Sequence, residues 1–262
     1  MTLGSILLVN AGAIATLMLA LWAVSLWRCD VSIVDIFWGL GFVLVAWSTC
    51  LAVPEDGVRS WILTGLTTAW GLRLAGYLAW RNHGQPEDYR YRAMREAYGV
   101  RFRWVSLWLV FGLQGGLMWT VAMPLQVGQS SAAAWSWLDA AGIVIWTTGL
   151  MFESVGDLQL ARFKSDPAHR GQVLDRGLWR YTRHPNYFGD FLVWWGLYLI
   201  AAAGGAWWTV FSPALMTVLL LRVSGVTLLE KSLKSRTAGY EDYVRRTRPF
   251  FPWPPKREQT DS

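Results

Sequence analysis

The sequence predicts an all-α, polytopic integral membrane protein with seven transmembrane helices, its N-terminus outside and its C-terminus inside. Three observations carry that expectation. Apolar residues make up 53% of the 262-residue chain and charged ones 16%, a balance displaced from that of soluble domains. Several stretches reach the roughly 20 predominantly apolar residues that a helix needs to cross hydrocarbon. Lys and Arg gather in alternate connections, as cytoplasmic loops do.

Leu3 to Leu26 carries no charge and is the first expected span; Val31 to Val53, interrupted by Asp35, is the second. Trp61 to Trp80 with Arg73, Trp104 to Val127 with Gln114, and Trp135 to Leu160 with Glu153 and Asp157 follow. Phe188 to Ala203 and Trp207 to Leu229, the latter holding Arg222, complete the set, with Gly204-Gly205 breaking the helix between them. The segments Arg81 to Arg103 and Ala161 to Tyr187 hold six Lys or Arg each. The connection with Arg28 and the tail after Glu230 are basic too, while Pro124 to Ala134 and Ala203 to Ala206 have none. All basic connections therefore fall on one side of a seven-span arrangement.

The net charge of +6 is then a topology signal with some affinity for anionic lipid heads, not a nucleic-acid footprint. Cys29 and Cys50 fall at opposite ends of neighbouring expected spans, so no disulfide joins them. Without a basic region or a small-residue cleavage site at the N-terminus, the first apolar run reads as a retained span. One domain is expected over 1–262, and no feature demands a protein partner.

Ionisable groups inside spans are costly, so they are paired or functional. Asp35, Arg73, Glu153, Asp157, Arg222 and Glu230 form that group, and salt bridges between helices are the structural alternative for each. Asp35 is the deepest acid of the N-terminal half and a candidate general acid, because a carboxyl in low dielectric keeps its proton and can donate it. Glu153 and Asp157, four apart, share one helical face and suit ribose hydroxyls, amides or Arg side chains. Lys164 lies about two turns beyond Asp157 on the same helix. Glu87-Asp88-Tyr89-Arg90-Tyr91-Arg92 mixes acids, aromatics and guanidinium groups. It reads either as a solvated helix laced with ion pairs or as a phosphate site of Arg90, Arg92, Arg170 and Lys164 held in place by Glu87 and Asp88.

The densest polar stretch is Gly177 to Asp190, containing Tyr181, Arg183, His184, Asn186, Tyr187 and Asp190 directly at the entrance of an apolar run. It is expected to be the anion-holding wall of a cofactor site. His83 and His169 have no Cys or His at ligand spacing, so no metal is expected. No phosphate-cradling glycine motif occurs.

These motifs resemble those of bacterial membrane proteins related to steroid 5α-reductase, the 3-oxo-5α-steroid 4-dehydrogenase family with its steroid-dehydrogenase-like group. Sterol C14 reductases and isoprenylcysteine carboxyl methyltransferases share the Arg183-His184-Pro185-Asn186-Tyr187-Phe188-Gly189 type of segment. The likeness extends to Val34 to Gly39, Glu87 to Tyr91, Glu153 to Gln159, Val223 to Gly225, Leu229 to Lys231 and Tyr240 to Lys256. It implies NADPH held by the spans, loops and tail of 135–257, with the spans of 1–127 on the substrate side. The implied cofactor residues are Arg73, Asp157, Lys164, Arg170, Tyr181, Arg183, His184, Asn186, Tyr187, Asp190, Glu230 and Tyr243. In the steroid enzymes a Gln-Glu pair and a Tyr face the substrate ketone. Here Val34-Asp35 and Trp70 stand at those positions, so the acid survives in shortened form and the Tyr does not.

The implied activity is NADPH-dependent reduction of the conjugated C=C bond of a 3-oxo-4-ene steroid or similar lipophilic enone, with Asp35 polarising the carbonyl and Trp38 and Trp70 beside the substrate. The substrate would arrive from the membrane lipids, and the cofactor site would face the cytoplasm, in a bacterial inner membrane. The alternatives are an S-adenosylmethionine-dependent methyltransferase of the isoprenylcysteine type and a non-enzymatic lipid-binding or transport protein. Surplus Arg in two loops argues against the former, and the lack of an internal repeat against a transporter.

Overall fold

The computed structural model describes residues 1–53, 57–131, 133–223 and 239–256, and all regular structure among them is helical. Four helical stretches are long and apolar enough to cross a membrane: Leu3–Arg28 (α1), Ile33–Ala52 (α2), Tyr89–Val121 and Trp137–Ser165 (α8). Outward-facing Leu8, Trp27 and Leu51 are 75%, 85% and 78% exposed. Such a surface is a liability in water and the expected one in lipid. The helices are those of a membrane protein.

Two further expected spans form long helices, Val58–Asn82 (α3) and Pro185–Ala203 (α9). Arg and Thr dilute the apolar run of α3, and Pro185, Asn186, Asp190 and the amphipathic Trp and Tyr rings that of α9. The last expected span begins as Trp207–Arg222 and continues outside the described residues. The 33-residue stretch Tyr89–Val121 is helical on both sides of Gly99, where a φ of 53° and a ψ of −134° end its first helix. It runs through α4 (Tyr89–Tyr98), α5 (Phe102–Ser106), a π turn at Leu107–Gly112 and α6 (Leu113–Val121). Pro124 then sits in the first turn of the short α7 (Met123–Gly128), where its missing N–H costs nothing.

The chain divides into two compact units, Met1–Asp139 with Leu197–Ser212, and Ala140–Gly196 with Pro213–Ser262. In the first, α2 and α3 form an antiparallel hairpin whose backbones touch. A Cβ added at Gly39 would lie 2.7 Å from the Gly71 carbonyl oxygen. Helix α1 packs on α2 and on the 107–128 segment. Asn10 joins three helices, its Nδ2 donating to Thr49 Oγ1 at 2.8 Å and to Gln126 Oε1 at 3.1 Å. At the N-terminal end of α3 the buried Arg59 fork binds Asp139 at 2.8 and 3.0 Å and caps the Ala133 and Ala134 carbonyls. Phe42, Val45, Leu63, Trp70, Met118 and Leu125 fill the core around these bonds.

The second unit rests on a glycine seam. Helix α8 presents Gly142, Gly149 and Gly156 at seven-residue spacing, and α9 answers with Gly196 and Gly189 in antiparallel register. Seven residues are nearly two turns, so each set lines one face. A Cβ at Gly189 would sit 2.4 Å from the Glu153 backbone nitrogen, and one at Gly149 2.6 Å from the Gly189 carbonyl oxygen. This small-residue approach is how membrane helices gain contact where lipid removes the hydrophobic drive. The unit continues through α10 (Phe211–Val218), a π turn at Leu219–Val223 and, after the gap, α11 (Tyr240–Arg246). In the tail, Phe250 and Phe251 pack against Phe188 and Phe191 of α9, with ring centres 5.6–6.0 Å apart.

Gly189→Ala is expected to lower stability by about 1–3 kcal/mol through overpacking. Gly76→Ala, in open space on α3, should be neutral or stabilising by up to about 1 kcal/mol. Thermal unfolding in detergent, read by size-exclusion fluorescence, checks both.

Candidate functional site

Each unit holds a polar cluster among the residues singled out in the sequence. In the first, the α1–α2 turn is clamped by the segment before and within α4. Glu87 Oε1 accepts the Val31 N–H at 2.8 Å, and Ser32 Oγ accepts the Asp88 N–H at 2.7 Å. Arg95 binds Glu87 at 2.8 and 3.0 Å and reaches the Cys29 carbonyl. Asp88 caps α4 by accepting the Arg90 N–H and also holds the Arg90 side chain, both at 2.9 Å. Asp88 thus holds Arg90, as expected, while Glu87 holds Arg95 in place of Arg92. The Arg90 Nη2 also binds Asp35 Oδ2 at 2.8 Å. Arg92 is exposed.

Asp35 lies in the first turn of α2, not deep in a span as expected. That placement lets the 87–91 segment reach it. Its second oxygen accepts the Tyr91 O–H at 2.8 Å, and Gln114 Nε2 donates to the same phenol oxygen at 3.2 Å. The result is a chain from Gln114 through Tyr91 to Asp35 and Arg90. A phenol beside the acid is what the sequence lacks at position 70, and α4 supplies it from 56 residues away. The only signal for it was the placing of Tyr91 one residue after Arg90 in a mixed acid and aromatic run. Trp70 is wholly buried against Phe42, which Trp38 meets edge-on at 5.2 Å. Arg73 lies over the Tyr77 ring, 5.5 Å from its centre.

In the second unit, Asn186 at the start of α9 donates to Asp157 Oδ1 of α8 at 3.1 Å. The seam sets this distance, since Gly156 leaves room for Pro185 and the Asn186 nitrogen. Glu153, Asp157, His184 and Asp190 are all buried, and His184 stacks on Tyr187 at 5.5 Å. Lys164 and Arg170 are exposed beyond the end of the apolar part of α8. Glu230 lies outside the described residues.

The stretch before α9 is laced to the tail. Tyr243 donates its O–H to the Trp179 carbonyl, and the Tyr181 carbonyl accepts the Trp253 N–H at 2.9 Å. Thr182 Oγ1 donates to the Phe250 carbonyl at 2.7 Å, and the Arg183 N–H to the Arg248 carbonyl at 2.9 Å. The buried Arg183 guanidinium binds the Val244 and Thr247 carbonyls at 3.1 and 2.7 Å. These contacts make Tyr181, Arg183 and Tyr243 the fastening of the tail.

Fold and clusters together define a class, an all-helical membrane protein with polar sites built among its helices. Residues 21–247 match the family described as Protein of unknown function (DUF1295), and the chain belongs to that family. It is similar to an uncharacterised protein of Schizosaccharomyces pombe, with 25% identity over 268 residues covering 88% of this chain and 75% of the yeast protein. No solved structure matches the chain.

Burial alone would raise the Asp88 carboxyl, but the hydrogen bonds and charge of Arg90 outweigh it and hold it below its ordinary value of 3.8. A depressed carboxyl stabilises the fold fully above its unfolded value and loses that contribution as pH falls through the folded one. Protection of the Val31 to Ile36 amides against exchange, relative to their intrinsic rates, is therefore expected to fall below about pH 4 in the wild type. In Asp88→Asn that part of the pH dependence should be absent.

Proposed function

We propose that the protein is a membrane-embedded, NADPH-dependent reductase of the conjugated C=C bond of a lipophilic, steroid-like enone. The observation that carries this reading is the Asp35–Tyr91 pair. The resemblance to steroid 5α-reductases asks for an acid and a tyrosine at the substrate ketone, and both are present although they come from α2 and α4. The proposed topology is seven spans with the N-terminus out, the C-terminus in and the cofactor on the cytoplasmic side, in a bacterial inner membrane.

The residues of the second unit suit the cofactor by their chemistry. The Asp157–Asn186 pair offers an acceptor and an amide to ribose hydroxyls or a carboxamide, Tyr187 and His184 offer flat ring faces, and Lys164 and Arg170 offer cations to phosphates. Asp190, Glu230 and Arg73 complete the proposed set. When bound, NADPH would supply hydride to the β-carbon of the enone. Negative charge then appears on the carbonyl oxygen, and the Asp35–Tyr91 pair stabilises it by donating a hydrogen bond. For this the Tyr91 O–H, which donates to Asp35 without substrate, turns to the carbonyl oxygen. Its bond breaks as the enol O–H bond forms, leaving the phenolate opposite the Gln114 amide and the Arg90 guanidinium, whose centre is 5.2 Å from the Tyr91 ring. The enol returns to the ketone by taking a proton from water at its α-carbon while its O–H proton goes back to the Tyr91 phenolate. Stabilisation of charge that exists only at the transition state is where such a donor accelerates the reaction.

Purified protein in detergent is expected to bind NADPH and not S-adenosylmethionine, and to consume nicotinamide absorbance when given an enone steroid. Tyr91→Phe and Asp35→Asn should each lower turnover by about 10²–10⁴-fold with cofactor affinity unchanged, while Asn186→Ala should weaken NADPH binding. Binding of S-adenosylmethionine without NADPH would sink the reading and return the methyltransferase.

A further inference from the structure

The lacing of residues 179–183 to the tail leaves a cavity of about 470 Å³ in the second unit, within the usual size range for small-molecule sites. Arg176, Arg180, Arg246 and Lys256 line it, against one carboxylate, Asp175. The backbone holds Arg180, Arg246 and Lys256 beside one another, while the Arg176 guanidinium lies over the Phe163 ring and 3.3 Å from His169 Nε2. The Lys256 N–H donates to the Arg246 carbonyl at 3.0 Å, and Thr247 and Tyr243 bond to the 179–180 turn. Asp175 accounts for little of the positive charge, its nearest contact being 3.8 Å from Arg246 Nη2. The Arg246 Nε is buried and finds no hydrogen-bond acceptor among the described residues. A buried donor of that kind is costly unless a ligand satisfies it.

We propose that this cavity binds a phosphate monoester group. Guanidinium forks match phosphate oxygens in pairs, and an ammonium adds a point charge. The phosphate could belong to a soluble ester or to a lipid headgroup, and both present the same oxygens. Of the residues that the resemblance gives to the cofactor only Tyr243 borders the cavity, and the site stands whether or not the reductase reading holds.

The test uses the full-length protein in a neutral detergent and phosphate-free buffer. Equilibrium dialysis follows labelled inorganic phosphate, and native mass spectrometry follows short-chain phosphatidic acid, with diacylglycerol as the uncharged control and sodium chloride matching ionic strength. Saturable binding is expected in at least one arm, weakened about tenfold in Arg176→Gln and again in Arg176→Gln/Lys256→Gln. Both residues are exposed, and an unchanged melting temperature without ligand confirms intact folding. Arg101→Gln, outside the cavity, should bind as the wild type does. Binding of phosphatidic acid alone assigns a headgroup, whereas binding of inorganic phosphate as well assigns a soluble ester. No saturable binding in either arm, or equal binding by wild type and double variant, overturns the proposal. Should the double variant unfold, Lys256→Gln alone decides by the same criterion.

Discussion

Helices α8 and α9 approach so closely at Gly149 and Gly189 that no side chain fits between them, and the second unit is built outward from that contact. It lets the Glu153 turn of one helix meet the backbone of the other. One turn further it brings Asn186 to Asp157. It also fixes where α9 begins, and therefore where the preceding Arg183 and His184 are buried. A larger residue at Gly189 would meet Glu153 first and part the helices that carry Asp157 and Asn186.

The first unit shows the complementary constraint. Its buried polar groups are joined across helices, as at Asn10 with Thr49 and Gln126, and at Arg59 with Asp139 and two loop carbonyls. In a low-dielectric interior such bonds stabilise only when both partners are present, and removing one leaves a charge or dipole stranded. The same logic explains the turn between α1 and α2. Glu87, Asp88, Arg90 and Arg95 satisfy its backbone and each other, and in doing so they deliver Tyr91 to Asp35. The chemistry proposed for that pair thus depends on a structural clamp.

The tail has two duties on one framework. Its carbonyls receive Thr182 and Arg183, and its Phe250 and Phe251 cover the start of α9. The same backbone presents Arg246 and Lys256 beside Arg176 and Arg180. Much of the polar character of the stretch before α9 therefore serves folding, and the cations left over surround a cavity.

Helical class and membrane residence were determined by the sequence itself, because run length, composition and charge distribution act locally along the chain. Glu153 and Asp157 on one face were legible for the same reason, since helix periodicity sets them. Tertiary structure alone decided which residues meet across the chain. Tyr91 reaches Asp35 only because the α1–α2 turn docks on α4. Arg183 faces tail carbonyls more than sixty residues ahead of it, and Asp35 sits in the first turn of α2 because that helix starts at Ile33. Those outcomes rest on helix rotation, register and close approach, which depend on which surfaces pack together and are written in no single stretch.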